Sequence, residues 1–312
     1  MSRRLGTFFL VLLILSGVWG LRNYASSWFE EFSPDSPHLR ASSLPSVPTT
    51  TFPTQVPQDA ENSGIQVVVP RDPLWAPGTT FGIIPPVPNP DTFTLCTSAF
   101  SFRAPDVDNS AVSRNYAVTA GHCGQVGDKI YALDKDGQPD LHQPLGTFRY
   151  SSLMPQNDGS FEDWGLIEIT NPQTPVAPPQ PAIPTVLAAE PLPLHGAVCK
   201  YGGTTLETCG FINDDQIDLF TLDLGNGHEA DIKSLIPHIC QRPGDSGGPH
   251  YISVGNYKVI YGIASSVHLD GSPDTRCRDS AEEEAGVAPM WEVLDAIRHY
   301  YPDAYLDFHH IE

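Results

Sequence analysis

The chain has 312 residues, enough for one large domain or two small ones around a well-buried core. Its 31 prolines and 26 glycines, with few methionines and no long helical periodicity, favour strands and loops over helices. The formal net charge of −20 has the wrong sign for tracking phosphates or anionic membrane surfaces, so nucleic acid is not an expected partner and the acidity reads as solubility.

At the N-terminus, Arg3 and Arg4 precede an apolar run from Phe8 to Leu15, and small residues follow at Gly17 and Gly20. A basic start, a short apolar centre and small residues afterwards describe a secretory signal over residues 1–25, cut after Gly20 or Ala25. The run is short of the roughly 20 apolar residues that a spanning helix needs. The competing reading is an uncleaved membrane tether through residues 5–20, with the folded part outside the cell. Thirteen prolines fall between Pro34 and Pro90, in a stretch too polar to offset its ordering entropy. Residues 26–93 therefore read as a linker or pro-segment, in which Ile65 to Val69 forms a short strand and the run from Phe81 to Val87 packs on the domain. The folded domain is expected at 94–312.

Within it, Asn115 to Thr119 is a short strand that delivers His122, and Trp164 to Ile169 is a largely buried strand just after Asp163. Eight prolines between Pro172 and Pro193 mark a surface connection separating two strand-rich halves, each the size of a six-stranded barrel. The second half holds strands at Ala197–Tyr201, Ile217–Leu224, Tyr251–Val254 and Lys258–Val267; Gly255-Asn256 joins the last two as a hairpin. Met290, Val293, Leu294 and Ile297 recur at helical spacing, so 290–300 is an amphipathic packing helix. There is no internal repeat.

Two motifs carry chemistry. Gly244-Asp245-Ser246-Gly247-Gly248-Pro249 sets a serine between glycines, where backbone approaches a substrate closely. Thr119-Ala120-Gly121-His122-Cys123 ends an apolar strand on a histidine. A serine hydroxyl needs a base to take its proton and amide donors for the developing oxyanion. Of the eleven histidines, only His122 has that setting, and the Gly244 and Ser246 amides are the natural donors. A carboxylate must orient the imidazole; Asp163, at the mouth of a buried strand, is preferred to Asp158, whose Asn157-Asp158-Gly159 setting reads as a turn. Six cysteines, Cys96, Cys123, Cys199, Cys209, Cys240 and Cys277, point to an oxidising destination and three disulfides, with 15 pairings open. No Cys-x-x-Cys spacing occurs, so no metal site is expected.

These motifs resemble those of the chymotrypsin-like (trypsin-like) serine proteases, and most of all the secreted bacterial, streptogrisin-like branch. Cys96-Thr97-Ser98-Ala99-Phe100, Val198 to Thr205 running on to Cys209-Gly210, and Cys240-Gln241-Arg242-Pro243 extend the resemblance over about residues 94–301. It implies an all-β fold of two six-stranded antiparallel β-barrels with the active site between them and a C-terminal helix. It implies disulfides Cys96–Cys123, Cys199–Cys209 and Cys240–Cys277. It also implies a secreted serine endopeptidase acting on protein or peptide through His122, Asp163 and Ser246, without a cofactor; a monomer is expected. The branch places an internal basic residue against the aspartate before the serine; Lys200 stands there, so Lys200 is expected to pair with Asp245. The primary pocket is expected at His238, Ile239, Ser265, Ser266, Val267 and His268. Branched Val267, where the family has glycine, narrows it toward small or medium apolar side chains, while His238 or His268 offers a competing recognition of an acidic one. The alternative to catalysis is a non-catalytic binding module on the same fold.

Overall fold

A computed structural model of the chain describes residues 64–85, 93–106, 110–153, 160–171, 185–225, 228–267, 277 and 283–311. The expected signal or tether, most of the Pro-rich stretch, Asp158 and His268 lie outside the described residues.

The chain enters through β1 (Ile65–Pro70) and then builds a seven-stranded sheet from β2 (Thr80–Ile84), β3 (Thr94–Thr97), β4 (Phe100–Pro105), β5 (Ser113–Thr119), β6 (Lys129–Tyr131), β7 (Gly146–Ser151) and β8 (Gly165–Ile169), in the order β3-β2-β6-β7-β8-β5-β4. After the second proline cluster come β9 (Thr185–Ala188), β10 (Gly196–Gly202), β11 (Leu206–Ile212), the hairpin β12 (Asp218–Gly225) with β13 (His228–Ser234), β14 (Pro249–Val254), β15 (Tyr257–Val267) and β16 (Ala285–Pro289). Helix α1 (Met290–Tyr300) and β17 (Leu306–Ile311) close the chain. The second sheet has eight strands, β11-β10-β14-β15-β9-β1-β17 with β16 on the side of β15. The two-barrel, all-β architecture is as expected from sequence. The strand counts are higher than six, and β9 runs parallel to β15.

The extra strands extend the two sheets toward the N-terminus. β1 pairs with the C-terminal β17 along its whole length, from Ile65↔Ile311 to Pro70↔Leu306, and also contacts β9. β2 lies between β3 and β6 in the first sheet. Between them Trp75 is wholly buried against Phe81 in the core that also holds Ile130, Phe148 and Ile167. Its backbone is fixed by Ser101, whose hydroxyl accepts from Trp75 N–H and donates to Trp75 C=O, both at 2.8 Å. Residues 64–85 thus belong to the fold and tie the second sheet to the first, and no domain beginning at 94 contains both sheets intact.

Helix α1 has the face its spacing predicts: Met290, Val293, Leu294 and Ile297 are buried, with Glu292 in the first turn and Arg298 and His299 in the last, complementing the helix dipole. That face packs in one cluster with Phe102, Tyr116 and Trp164 of the first sheet and Val68, Ile260 and Ile263 of the second, so the helix holds the two barrels in a fixed relation. Trp75→Ala removes the largest contact of the N-terminal segment and is expected to cost about 3–5 kcal/mol in urea-unfolding free energy; a cost near zero would show that this segment is not part of the cooperative unit.

Candidate active site

The register of two strands brings the first pair together. β5 and β8 pair antiparallel with Thr119 opposite Gly165, so the chain leaving β5 and the chain entering β8 lie at one end of the barrel. His122 follows in a short 3₁₀ turn, Gly121–Cys123, and Asp163 precedes β8. Asp163 Oδ1 accepts the His122 backbone N–H at 2.8 Å, and Oδ2 lies 2.7 Å from His122 Nδ1. With Nδ1 bearing the proton, Nε2 is left as a base. A third donor comes from the other barrel: the Ser265 hydroxyl of β15 reaches Asp163 Oδ2 at 2.6 Å.

These contacts set the charges. Burial alone would raise the Asp163 pKa, since its side chain is fully buried, but His122 and the Ser265 and backbone hydrogen bonds outweigh it and hold the carboxyl below its ordinary range. For His122 burial works against the imidazolium, and the Asp163 charge and hydrogen bond prevail, so its pKa stands above the usual histidine value.

The serine turn is clamped from both sides. Thr97 N–H donates to Ser246 C=O at 2.8 Å, and Thr97 Oγ1 donates to Gly244 C=O at 2.8 Å. The Cys96–Cys123 disulfide is adjacent, with Cys123 Sγ 3.8 Å from Ser246 O, so the Ser246 backbone sits against the residue next to His122. From the second barrel, Gly247 N–H donates to Ala264 C=O at 2.7 Å. Gly244 has φ +95° and Gly247 φ +84°, left-handed conformations that favour glycine, and a Cβ on Gly247 would lie 2.0 Å from Thr119 Oγ1. Among the described residues the Gly244 and Ser246 amides have no acceptor, and the Ser246 hydroxyl has no hydrogen bond, to His122 or elsewhere. Such contacts often tighten only with substrate present.

Asp245, wholly buried, accepts five donors: Thr204 N–H and Thr205 N–H on Oδ1 at 2.9 Å, and Thr205 Oγ1 (2.6 Å), Arg242 N–H (3.0 Å) and Lys200 Nζ (2.9 Å) on Oδ2. Lys200 is also wholly buried; desolvation lowers its pKa, and the Asp245 charge opposes that shift. The other two disulfides, Cys199–Cys209 and Cys240–Cys277, brace the strand carrying Lys200 and the start of the serine loop.

The profile of the family described as Trypsin matches residues 109–280, more than half of the chain. The chain belongs to the trypsin family. Curated proteins give no match. Among solved structures, Cellulomonas bogoriensis chymotrypsin is 20% identical with a TM-score of 0.43, covering 70% of this chain and 93% of that one. Thermobifida fusca protease A is 18% identical (TM-score 0.45; 75% and 97% covered), and an active-form protease of M. tuberculosis 16% (0.41; 82% and 93%).

Against this trypsin-family frame, the expected pocket residues separate. The Ser265 hydroxyl donates to Asp163 Oδ2. Ile239 is fully buried in the core beside Leu235 and Val287. His238 stacks on Phe211 at 4.8 Å between ring centres, with Nε2 3.3 Å from Asn213 Nδ2. Ser266 is buried and Val267 half-buried, next to one another on β15. Sequence reasoning missed Gln241 and Glu283, and the parts played by Thr97, Thr205 and Arg242. The Thr204-Thr205 pair after two glycines was a usable signal; nothing distinguishes Glu283 within the acidic run 282–284.

In an NMR titration the His122 imidazole should titrate above about pH 6.5, and Asp163→Asn should bring that value down. An unchanged His122 pKa in the variant would contradict the coupling.

Proposed function

We propose that the chain is a serine endopeptidase that hydrolyses peptide bonds through an acyl-enzyme. The observation that carries this reading is the shared Asp163 carboxylate, which fixes the tautomer and orientation of His122 beside the turn carrying Ser246. Ser246 Oγ attacks the substrate carbonyl while His122 Nε2 takes its proton. The oxyanion that forms is met by the Gly244 and Ser246 amides. The C–N bond then breaks, and His122 returns the proton to the leaving amine. Water repeats the sequence: His122 takes its proton, the hydroxide adds to the acyl carbonyl, and the ester bond to Ser246 breaks as Oγ regains the proton. Asp163 stays ionised throughout, as its lowered pKa favours. No step calls for a metal or organic cofactor.

Lys200 serves this chemistry at one remove. Asp245 leads directly into Ser246, so its five donors hold the peptide that carries the oxyanion amides. The internal lysine fills the place where an incoming amine would pair, so the turn is organised without a newly cut N-terminus. The three disulfides support export to an oxidising compartment, with residues 1–25 as the export segment or tether and the Pro-rich residues up to 63 as linker or pro-segment.

A fluorophosphonate probe should label the full chain on Ser246, and Ser246→Ala should abolish labelling and lower turnover by about 10⁶-fold; equal labelling of the variant would overturn the assignment. Lys200→Met leaves Asp245 buried without its cation and is expected to cost about 3–5 kcal/mol of stability and to slow labelling. Undiminished labelling by a variant of unchanged thermal midpoint would refute the role given to Lys200.

A further inference from the structure

A peptide substrate bonded to Ser246 must direct the side chain before the cut into the space beside the serine loop. Three segments bound that space: 239–244 leading to the serine, β15 at Ala264–Val267, and 283–287. They touch one another. Ile239 N–H donates to Glu283 C=O at 3.0 Å, and β15 pairs with β16 through Ser266↔Gly286. Their polar side chains are nearly solvent-free, with Gln241 at 2%, Ser266 at 4% and Glu283 at 6% exposure. A Cβ added at Gly286 would meet Ser266 Oγ at 2.2 Å, so even this glycine opens no room.

The group that spans the space is the Gln241 amide. Its Nε2 donates to Ser266 C=O on β15 at 2.8 Å, and its Oε1 accepts from His250 Nε2 on β14 at 2.9 Å. His250 is wholly buried, with Nδ1 3.3 Å from the Tyr261 hydroxyl. Burial, and then the nearby Lys200 charge, push its pKa well below the ordinary value, so it stays a neutral donor to the amide. The backbone on either side is locked as well: the Arg242 guanidinium donates to both Glu283 carboxylate oxygens at 2.9 and 2.7 Å and to Gln241 C=O at 2.7 Å.

We propose that Gln241 is the specificity-determining residue of this enzyme: its side chain fills the depth of the primary pocket, backed by Ser266, and restricts cleavage to bonds after small side chains such as Gly, Ala and Ser. A larger side chain enters only if the amide leaves, which strands the His250 N–H and the Ser266 carbonyl without partners in a buried site. The inference rests on the protease reading above and deepens it by naming the substrate class. Shortening Gln241 opens a slot floored by His250.

The test is a series of internally quenched peptides differing only in the residue before the cut, run on the full chain, on Gln241→Ala and on Gln241→Ser, with fluorophosphonate labelling alongside. The wild-type chain should show kcat/KM for Ala at least about tenfold above Leu, Phe, Gln and Lys. Gln241→Ala should shift the Leu-to-Ala and Gln-to-Ala ratios upward by about tenfold or more. A wild-type preference for a large side chain, or a labelled Gln241→Ala chain with an unshifted profile, overturns the proposal. If Gln241→Ala takes no label, the same ratio in the milder Gln241→Ser decides it: a rise of about tenfold supports the proposal and an unshifted ratio overturns it. A wild-type chain that takes no label overturns the protease reading itself, and this inference with it.

Discussion

One buried carboxylate organises the molecule's site. Asp163 has no exposure to water, and an isolated ionised carboxylate there would be neutralised by desolvation. It stays ionised because three donors converge on it: the His122 amide, the His122 ring and the Ser265 hydroxyl. Two of them belong to its own barrel and the third to the other. The same contact that fixes the imidazole therefore also fixes β15 relative to the first barrel. Orientation of the imidazole and docking of the two barrels are a single interaction.

The serine turn repeats that logic with the roles of the barrels exchanged. Asp245 gathers its donors from the second barrel, Lys200 among them, while Thr97 of the first barrel holds the Gly244 and Ser246 carbonyls. Because those carbonyls are held from one side, the two amides of the turn are left pointing elsewhere with no protein acceptor among the described residues. Helix α1 and the segment around Trp75 contribute at longer range, by packing against both sheets and keeping the clamps in register.

Much of this was legible in the sequence where chemistry forces local pattern. A histidine ending an apolar strand, an aspartate opening one, a serine in a glycine turn and a four-residue apolar helical stripe each leave a short-range signature, and each falls in the element expected. The N-terminal segment was legible only in part. Its strand at Ile65 to Val69 and packed run from Phe81 could be read, but Pro70, Pro73 and Pro77 hide how they belong to the fold, because Pro70 only ends β1 and the partner that makes β1 a strand is β17, about 240 residues later in the chain. Composition averages cannot register pairing at that distance. The lining beside the serine loop was less legible, for a different reason. Gln241, Arg242 and Glu283 are residue types usually solvated, and only the approach of three segments shows that they are buried and mutually satisfied. Ser265 was placed on the right strand, but its hydrogen bond to Asp163 was not legible, since a one-residue change of facing on a strand exchanges a side chain's neighbours.

The most direct measurement is a crystal structure of the full chain after reaction with a fluorophosphonate. The account predicts phosphorus bonded to Ser246 Oγ, a phosphonyl oxygen about 2.7–3.1 Å from both the Gly244 and Ser246 amides, and His122 Nε2 facing the adduct with all three Asp163 contacts retained. An adduct whose oxygen points away from those amides, or an imidazole turned from Asp163, would contradict it.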